Sequence, residues 1–148
     1  MIAYVEKGAA LHDAIRKAGH GLREENGVWI ASDDQAVQAI IDSFDPLADM
    51  QAKKIAAVKD EARRRILLII PDWKQANLTA RAAEMAKLRS ERAWTAEEQA
   101  EWDAGQALWD QVKAIRAASD RVEADVMAAS DWKAIEKADL AKSNRWPK

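Results

Sequence analysis

Cysteine is absent from this chain of 148 residues. Its absence excludes disulfides and thiolate chemistry, and it is compatible with a reducing compartment. Long apolar runs are missing too, because the longest, Ile66–Pro71, is far shorter than the roughly 20 residues that span a bilayer. A signal peptide begins with a basic segment followed by an apolar one. The first residues do not show this pattern. The sequence therefore predicts a soluble protein with no membrane partner.

An excess of charge of either sign is also missing. The chain has 23 Lys and Arg against 25 Asp and Glu, a net charge of −2, so no overall basic field would attract nucleic acid. The most basic stretch, Arg63–Arg65, lies in a predicted helix, where successive side chains point about 100° apart and do not form one patch. We therefore do not expect nucleic acid as a partner.

Motifs that carry enzymatic chemistry are missing as well. The chain has no dinucleotide-binding or phosphate-binding glycine loop, no nucleophile elbow and no zinc-protease motif. His12 and His20 are the only histidines, and no further ligands stand at metal-binding spacing. Asp33 and Asp34 fall at a predicted helix start, where negative charge is favoured. We expect no catalytic residue, no metal site and no cofactor, and hence a protein that is not an enzyme.

The first 46 residues predict a small α+β unit with the order β-α-β-β-α. Its centre is Asn26-Gly27, a pair typical of a two-residue hairpin turn because both positions need positive φ. The predicted elements are a strand at Ile2–Val5, a helix at Ala9–Ala18 that ends at Gly19, strands at Leu22–Glu25 and Val28–Ala31, and a helix capped by Ser32 or Asp33 that ends at Asp45-Pro46.

Residues 47–148 predict a helical hairpin or bundle with a C-terminal tail. The longest helix covers Thr95–Ala129 and begins with a capping box, Thr95 and Glu98. Its apolar stripe is Trp102, Leu108, Trp109, Val112, Ile115, Val122 and Val126. Other predicted helices are Leu47–Ile70, whose apolar end Ile66–Ile70 should be buried on several sides, Asn77–Leu88, and one or two turns through Trp132, Ile135 and Leu140. Two long striped helices could also form a coiled coil with other copies of the chain.

Tryptophan is abundant, with seven residues against one Phe and one Tyr. Trp102 and Trp109 are expected to be core anchors. Trp132 and Trp146 have the weakest claim on a core, so Trp132 either contacts a partner or packs internally, and Trp146 either contacts a partner or lies in an unstructured end. Trp73 follows Pro71 at a helix end, where an indole can also staple a turn. Because Trp is enriched in interfaces, Trp132, Trp146 and Trp73 are the candidate partner-binding residues.

Several stretches resemble small accessory proteins encoded beside the tail-fibre genes of tailed bacteriophages and prophages. They are GVWIASDDQAVQAIIDSFDP (Gly27–Pro46), IPDWKQANLTARAAEM (Ile70–Met85) and WTAEEQAEWDAGQALWDQVKAIRAASD (Trp94–Asp120). Trp146-Pro147 is similar to the C-terminal Trp-Pro of many tail-fibre assembly proteins. The Tyr of that family's aromatic run before Trp-Pro has no counterpart at Asp131–Ala134.

This resemblance implies a protein that handles another protein, with a phage tail-fibre protein as its partner. It would shield the fibre or help it trimerise in the host bacterial cytoplasm during assembly. Two alternatives stay open. One is a structural component of the tail, fibre or baseplate that is retained in the virion and oligomerises through its long helices. The other is a phage-encoded modulator that binds a host protein.

Overall fold

The computed structural model describes residues 1–137 and 146–148. Helices make up 72% of the described chain beside one two-stranded antiparallel sheet, which confirms the predicted class, α+β and mostly α with one long helix. In chain order the elements are α1 (Ala9–Lys17), β1 (Leu22–Glu25), β2 (Val28–Ala31), α2 (Asp34–Ser43), α3 (Leu47–Ile69), α4 (Asp72–Glu91), α5 (Ala96–Ala128) and α6 (Trp132–Lys137).

The described chain divides into two compact units. The first contains Met1–Lys53 and Ala129–Lys137, and the second contains Lys54–Ala128 and residues 146–148. The sequence places the boundary after Pro46, whereas the structure places it within α3 and adds α6 to the first unit. None of the helices among the described residues combines the length and the apolar character that crossing a bilayer requires.

The hairpin of the first unit forms where the sequence predicts it. Asn26 and Gly27 have φ values of 52° and 79°, the two positive values that a tight two-residue turn needs. The preceding helix α1 ends at Lys17, and Gly19, just after its C-cap, has φ 83° and donates its N–H to the carbonyl of Arg16 (2.9 Å). The N–H of His20 reaches the carbonyl of Ile15 (3.1 Å), and the two bonds together form a Schellman motif.

The strand predicted at Ile2–Val5 is wrong. Residues 1–8 adopt no regular element, although the side chain of Ile2 is buried in the core of the first unit. The amide side chain of Gln38 takes the place of a strand partner. The N–H of Ala3 donates to Gln38 Oε1 (2.8 Å), and Gln38 Nε2 donates to the carbonyl of Ala3 (3.3 Å). The side chain of Gln38, on the distant helix α2, thus satisfies the backbone hydrogen-bonding groups of Ala3, although the local sequence is typical of a strand.

The end of this segment is held on α2 by a lysine. Lys7 Nζ donates to the carbonyls of Ile41 (2.6 Å) and Phe44 (2.7 Å). Those carbonyls belong to the last turn of α2 and the residue after it, where the helix leaves acceptors unpaired and favours positive charge. The core beneath consists of Ile2, Leu11, Ile15, Val37 and Ile41.

In the second unit, α4 and α5 form a helical hairpin. The predicted capping box is confirmed, since Glu98 N–H donates to Thr95 Oγ1 (3.2 Å) and Thr95 N–H donates to Glu98 Oε2 (2.8 Å). Farther along the hairpin, Arg81 donates to both carboxylate oxygens of Glu101 (2.8 and 3.0 Å). The adjoining core joins α3 to α5 and consists of Val58, Ala62, Ile115, Ala118, Val122, Val126 and Trp146.

Two expectations for the helical residues are only partly met. Val112, Ile115, Val122 and Val126 of the α5 stripe are buried, but Trp102 and Trp109 are half-buried and are not full core anchors. They line a small cavity of about 40 Å³ that also touches α4. The apolar end of α3 is not covered on all sides either, because Leu68 is 74% exposed. Leu140, in the predicted last turn of the tail, lies outside the described residues.

Candidate protein-binding surface

The three candidate tryptophans have very different environments. Trp73 is 67% exposed at the start of α4, and Trp146 is only 5% exposed in the core of the second unit. Trp132 is half-buried at the start of α6 and belongs to the first unit. Within the second unit Trp73 is exposed and Trp146 is buried, so these two do not form one surface.

The expectation that Trp146 lacks a place in the core is wrong. Its ring packs in the cluster that contains Val58 and Ile115. On another side, Arg65 Cζ lies 5.0 Å from the ring centroid, a cation–π contact. The sequence does not indicate this role, because a single Trp outside a predicted helix is not part of a periodic apolar pattern. Trp146 is thus a core residue, and its contact with a partner stays a prediction that this burial disfavours.

A carboxylate fixes the arginine that covers Trp146. Arg65 Nε donates to Glu61 Oε1 (2.6 Å), and Arg64 donates to both oxygens of Glu61 through Nε and Nη2 (2.8 Å each). The hydrogen bonds from Arg64, and those from Arg65, lower the pKa of Glu61 to about 2 against an ordinary 4.5, although partial burial opposes them. Glu61 therefore stays ionised and holds both guanidinium groups at this end of the core.

We expect Glu61→Gln to change how stability depends on pH. Because folding lowers the pKa of Glu61, its ionised form stabilises the fold above about pH 4.5, and this contribution is lost as the pH falls towards 2. Urea unfolding between pH 2 and 6 should show the parent more stable than Glu61→Gln at pH 6, with the difference shrinking as the pH falls. A difference that stayed constant over this range would mean that Glu61 forms no ion pair in the folded state.

An apolar groove lies beside this cluster. It has a volume of about 500 Å³. Its lining consists of Arg64, Arg65, Leu68, Ile69, Ala107, Asp110, Gln111, Ala114, Ile115, Pro147 and Lys148. The apolar members come mainly from α3 and α5, while charged side chains of both signs stand among them. A groove of this composition suits an apolar side chain flanked by polar groups, as an amphipathic segment of another protein presents.

The exposed side chains at the α3–α4 corner follow from how the chain turns there. Pro71 ends α3 and starts α4, with its carbonyl accepting from the N–H groups of Lys74 (2.9 Å) and Gln75 (3.0 Å). Gln75 Nε2 donates to the carbonyl of Ile70 (2.7 Å), so its side chain satisfies an acceptor at the end of α3. The corner is therefore well bonded, and Leu68 and Trp73 project from it uncovered.

Sequence reasoning missed Leu68 and the groove. The available signal was the all-round apolar run Ile66–Ile70 itself, which we interpreted as burial on several sides. A helix packed by one face against a single neighbour leaves an opposite face outward, so such a run also fits an exposed docking patch.

Trp132 is half-buried and does not project into solvent as Leu68 and Trp73 do. Asp131 Oδ1 accepts the N–H of Lys133 (2.9 Å) and begins α6, while Lys133 Nζ lies 5.7 Å from the Trp132 ring centroid. Ile135 of the same helix is buried. Trp132 thus has local packing of its own and enough exposure to contact a partner as well.

His12, one of the two histidines considered for a metal or catalytic site, lies in an aromatic cluster with Tyr4 and Trp29. Tyr4 donates its hydroxyl hydrogen to Glu6 (2.9 Å), and its hydroxyl oxygen lies 2.9 Å from His12 Nε2. Burial raises the pKa of Tyr4 to about 12, and the bond to Glu6 adds to the rise, so the phenol stays neutral at physiological pH. Tyr4 also stacks on Trp29 at 3.9 Å between centroids. These contacts account for His12 as a packing residue.

Comparison with known proteins adds no relative. No family model, no curated protein and no solved structure matches this chain. The resemblance to tail-fibre accessory proteins therefore stays a prediction that rests on the quoted stretches.

Proposed function

We propose that this chain is a bacteriophage tail-fibre assembly or accessory protein that acts through protein–protein contacts and not as an enzyme. The observation that carries the proposal is the exposed side chain of Leu68, which lines the apolar groove, together with the exposed side chain of Trp73 at the α3–α4 corner. Large exposed apolar groups beside a concave apolar surface are typical of partner-binding sites. The partner, a tail-fibre protein, comes from the sequence resemblance.

In this proposal the fibre protein inserts an apolar side chain into the groove. Leu68 and Ile69 form one wall and Ala107, Ala114 and Ile115 form the other, while Arg64 and Lys148 can pair with carboxylates at the margin of the inserted segment. Trp146 acts indirectly, because it packs in the core next to the lining residues Pro147 and Lys148. Trp132 belongs to the other unit and would supply a separate contact.

The test is binding to the tail-fibre protein of the phage or prophage that encodes this chain, measured by pull-down and calorimetry. Leu68→Asp should weaken binding about 30-fold or more, because it places a charge in the groove, and a hot-spot residue contributes about 2 kcal/mol or more. Trp73→Ala should weaken it less. Met127→Asp is the matched control, since Met127 is exposed in the same unit and does not line the groove.

Equal binding by the parent, Leu68→Asp and Trp73→Ala would contradict this assignment, and Trp132→Ala would then be the next variant to measure. Deleting the tail from Ser130 is unsuitable, because it would also remove the buried Trp146. Mass spectrometry of purified particles separates an assembly factor, which is absent from them, from a retained virion component, which is present.

A further inference from the structure

The free edge of strand β2 carries unused backbone hydrogen-bonding groups. The register pairs Glu25 with Val28 across the two-residue turn, then Arg23 with Ile30, and these pairs share hydrogen bonds across the hairpin. The N–H of Ser32 donates to the carbonyl of Gly21 (3.0 Å), which extends the same alternation.

Trp29 and Ala31 occupy the other positions of β2, so their N–H and C=O groups point away from β1. No hydrogen bond reaches these four groups anywhere in residues 1–137 or 146–148. An unpaired strand edge of this kind is a template for another strand.

The side chains of β2 leave this edge unprotected. Proteins commonly block an exposed strand edge with charged residues or proline. Strand β2 has the sequence VWIA and contains neither. On its outer face Val28 is 47% exposed and Ile30 is 37% exposed. An incoming strand would therefore gain both hydrogen bonds and apolar contact.

The two edges of the hairpin differ in charge. Strand β1 reads LREE, and its outward backbone groups belong to Leu22 and Glu24. If two β1 strands paired so that Leu22 met Glu24, Arg23 would face Arg23 of the other copy, which is unfavourable. Two β2 strands bring no charged side chains together, so charge favours self-pairing at β2 only.

We propose that a second copy of this chain pairs with β2, antiparallel and about a two-fold axis, to form a four-stranded sheet. The outward groups favour the register in which Trp29 meets Ala31 of the other copy, because only this register pairs the outward groups of both residues. Four hydrogen bonds result, and each large indole lies beside a small alanine.

The same register places Ile30 directly opposite Ile30 of the second copy. This is a non-hydrogen-bonded pair, in which the two Cβ atoms approach to about 4.5–5.5 Å, so the exposed face of Ile30 becomes covered. The strand is thus complementary to itself in hydrogen bonding, side-chain size and charge. This surface lies in the first unit and does not depend on the proposed contact with a fibre protein.

The test is sedimentation equilibrium of the full chain over a wide concentration range. Ala31→Pro removes one outward N–H and no bond within the hairpin, a position where strands tolerate proline. It should weaken dimerisation about tenfold or more, because each copy loses one of the new hydrogen bonds. Glu24→Pro is the matched control, since it removes an outward N–H from β1 and should leave dimerisation unchanged.

Ile30→Lys is a second variant, which places two positive charges opposite each other while circular dichroism checks that the fold is retained. A concentration-dependent doubling of mass in the parent and Glu24→Pro, lost in Ala31→Pro and Ile30→Lys, supports the proposal. A parent that stays monomeric would overturn it. Dimerisation that survives both β2 variants would also overturn it and would indicate pairing through the helices. If Ala31→Pro does not fold, Ile30→Lys alone decides.

Discussion

Replacing Trp146 with Ala is expected to destabilise the second unit by about 3–5 kcal/mol, the usual cost of removing a buried indole. The side chain is 5% exposed and packs in the core with Val58 and Ile115. Its loss would leave a cavity between α3 and α5 and would remove the ring beneath Arg65. Urea unfolding followed by far-UV circular dichroism measures the change in the free energy of unfolding.

Trp73→Ala is the control, because it makes the same chemical change at a side chain that is 67% exposed. Surface substitutions of this kind usually change stability by no more than about 0.5 kcal/mol. If Trp146→Ala proved as mild as Trp73→Ala, the indole of Trp146 would not be part of the core, and its contact with a partner would regain support.

Leu11→Ala is expected to destabilise the first unit by about 2–5 kcal/mol. Leu11 is fully buried on α1 and packs in the cluster with Ile15, Val37 and Ile41. The two-stranded hairpin depends on this cluster, since an isolated hairpin is only marginally stable in water. Calorimetry should therefore show a lower unfolding temperature for the transition that includes the hairpin.

Leu68→Ala serves as the matched control for Leu11→Ala, because Leu68 is largely exposed on α3. We expect its unfolding temperature to stay close to that of the parent. A large loss of stability in Leu68→Ala would mean that another surface covers this side chain in solution, and the groove would then not be free for a fibre protein.

The candidate site was only partly predictable. Trp73 was named from the sequence because Trp is enriched in interfaces, and the structure leaves it exposed. Trp146 was named on the same ground, yet it is buried. Side-chain type indicates an apolar group with a polar handle, but it does not indicate which apolar group finds a place in the core. Leu68 was missed because the pattern of α3 does not show how many neighbours the helix will have.

Features that depend on a few adjacent residues could be predicted from the sequence. Asn26-Gly27 specified the turn because few residues adopt positive φ, Gly19 specified the end of α1 for the same reason, and Thr95 with Glu98 specified the start of α5. Tertiary structure alone decided the rest. The side chain of Gln38 replaced a strand partner for Ala3, and the packing of α3 against α5 left room for Trp146 while Leu68 stayed outside. Turns and caps differ from burial because their hydrogen bonds are satisfied within a few residues of backbone, whereas burial depends on contacts between residues far apart in the chain.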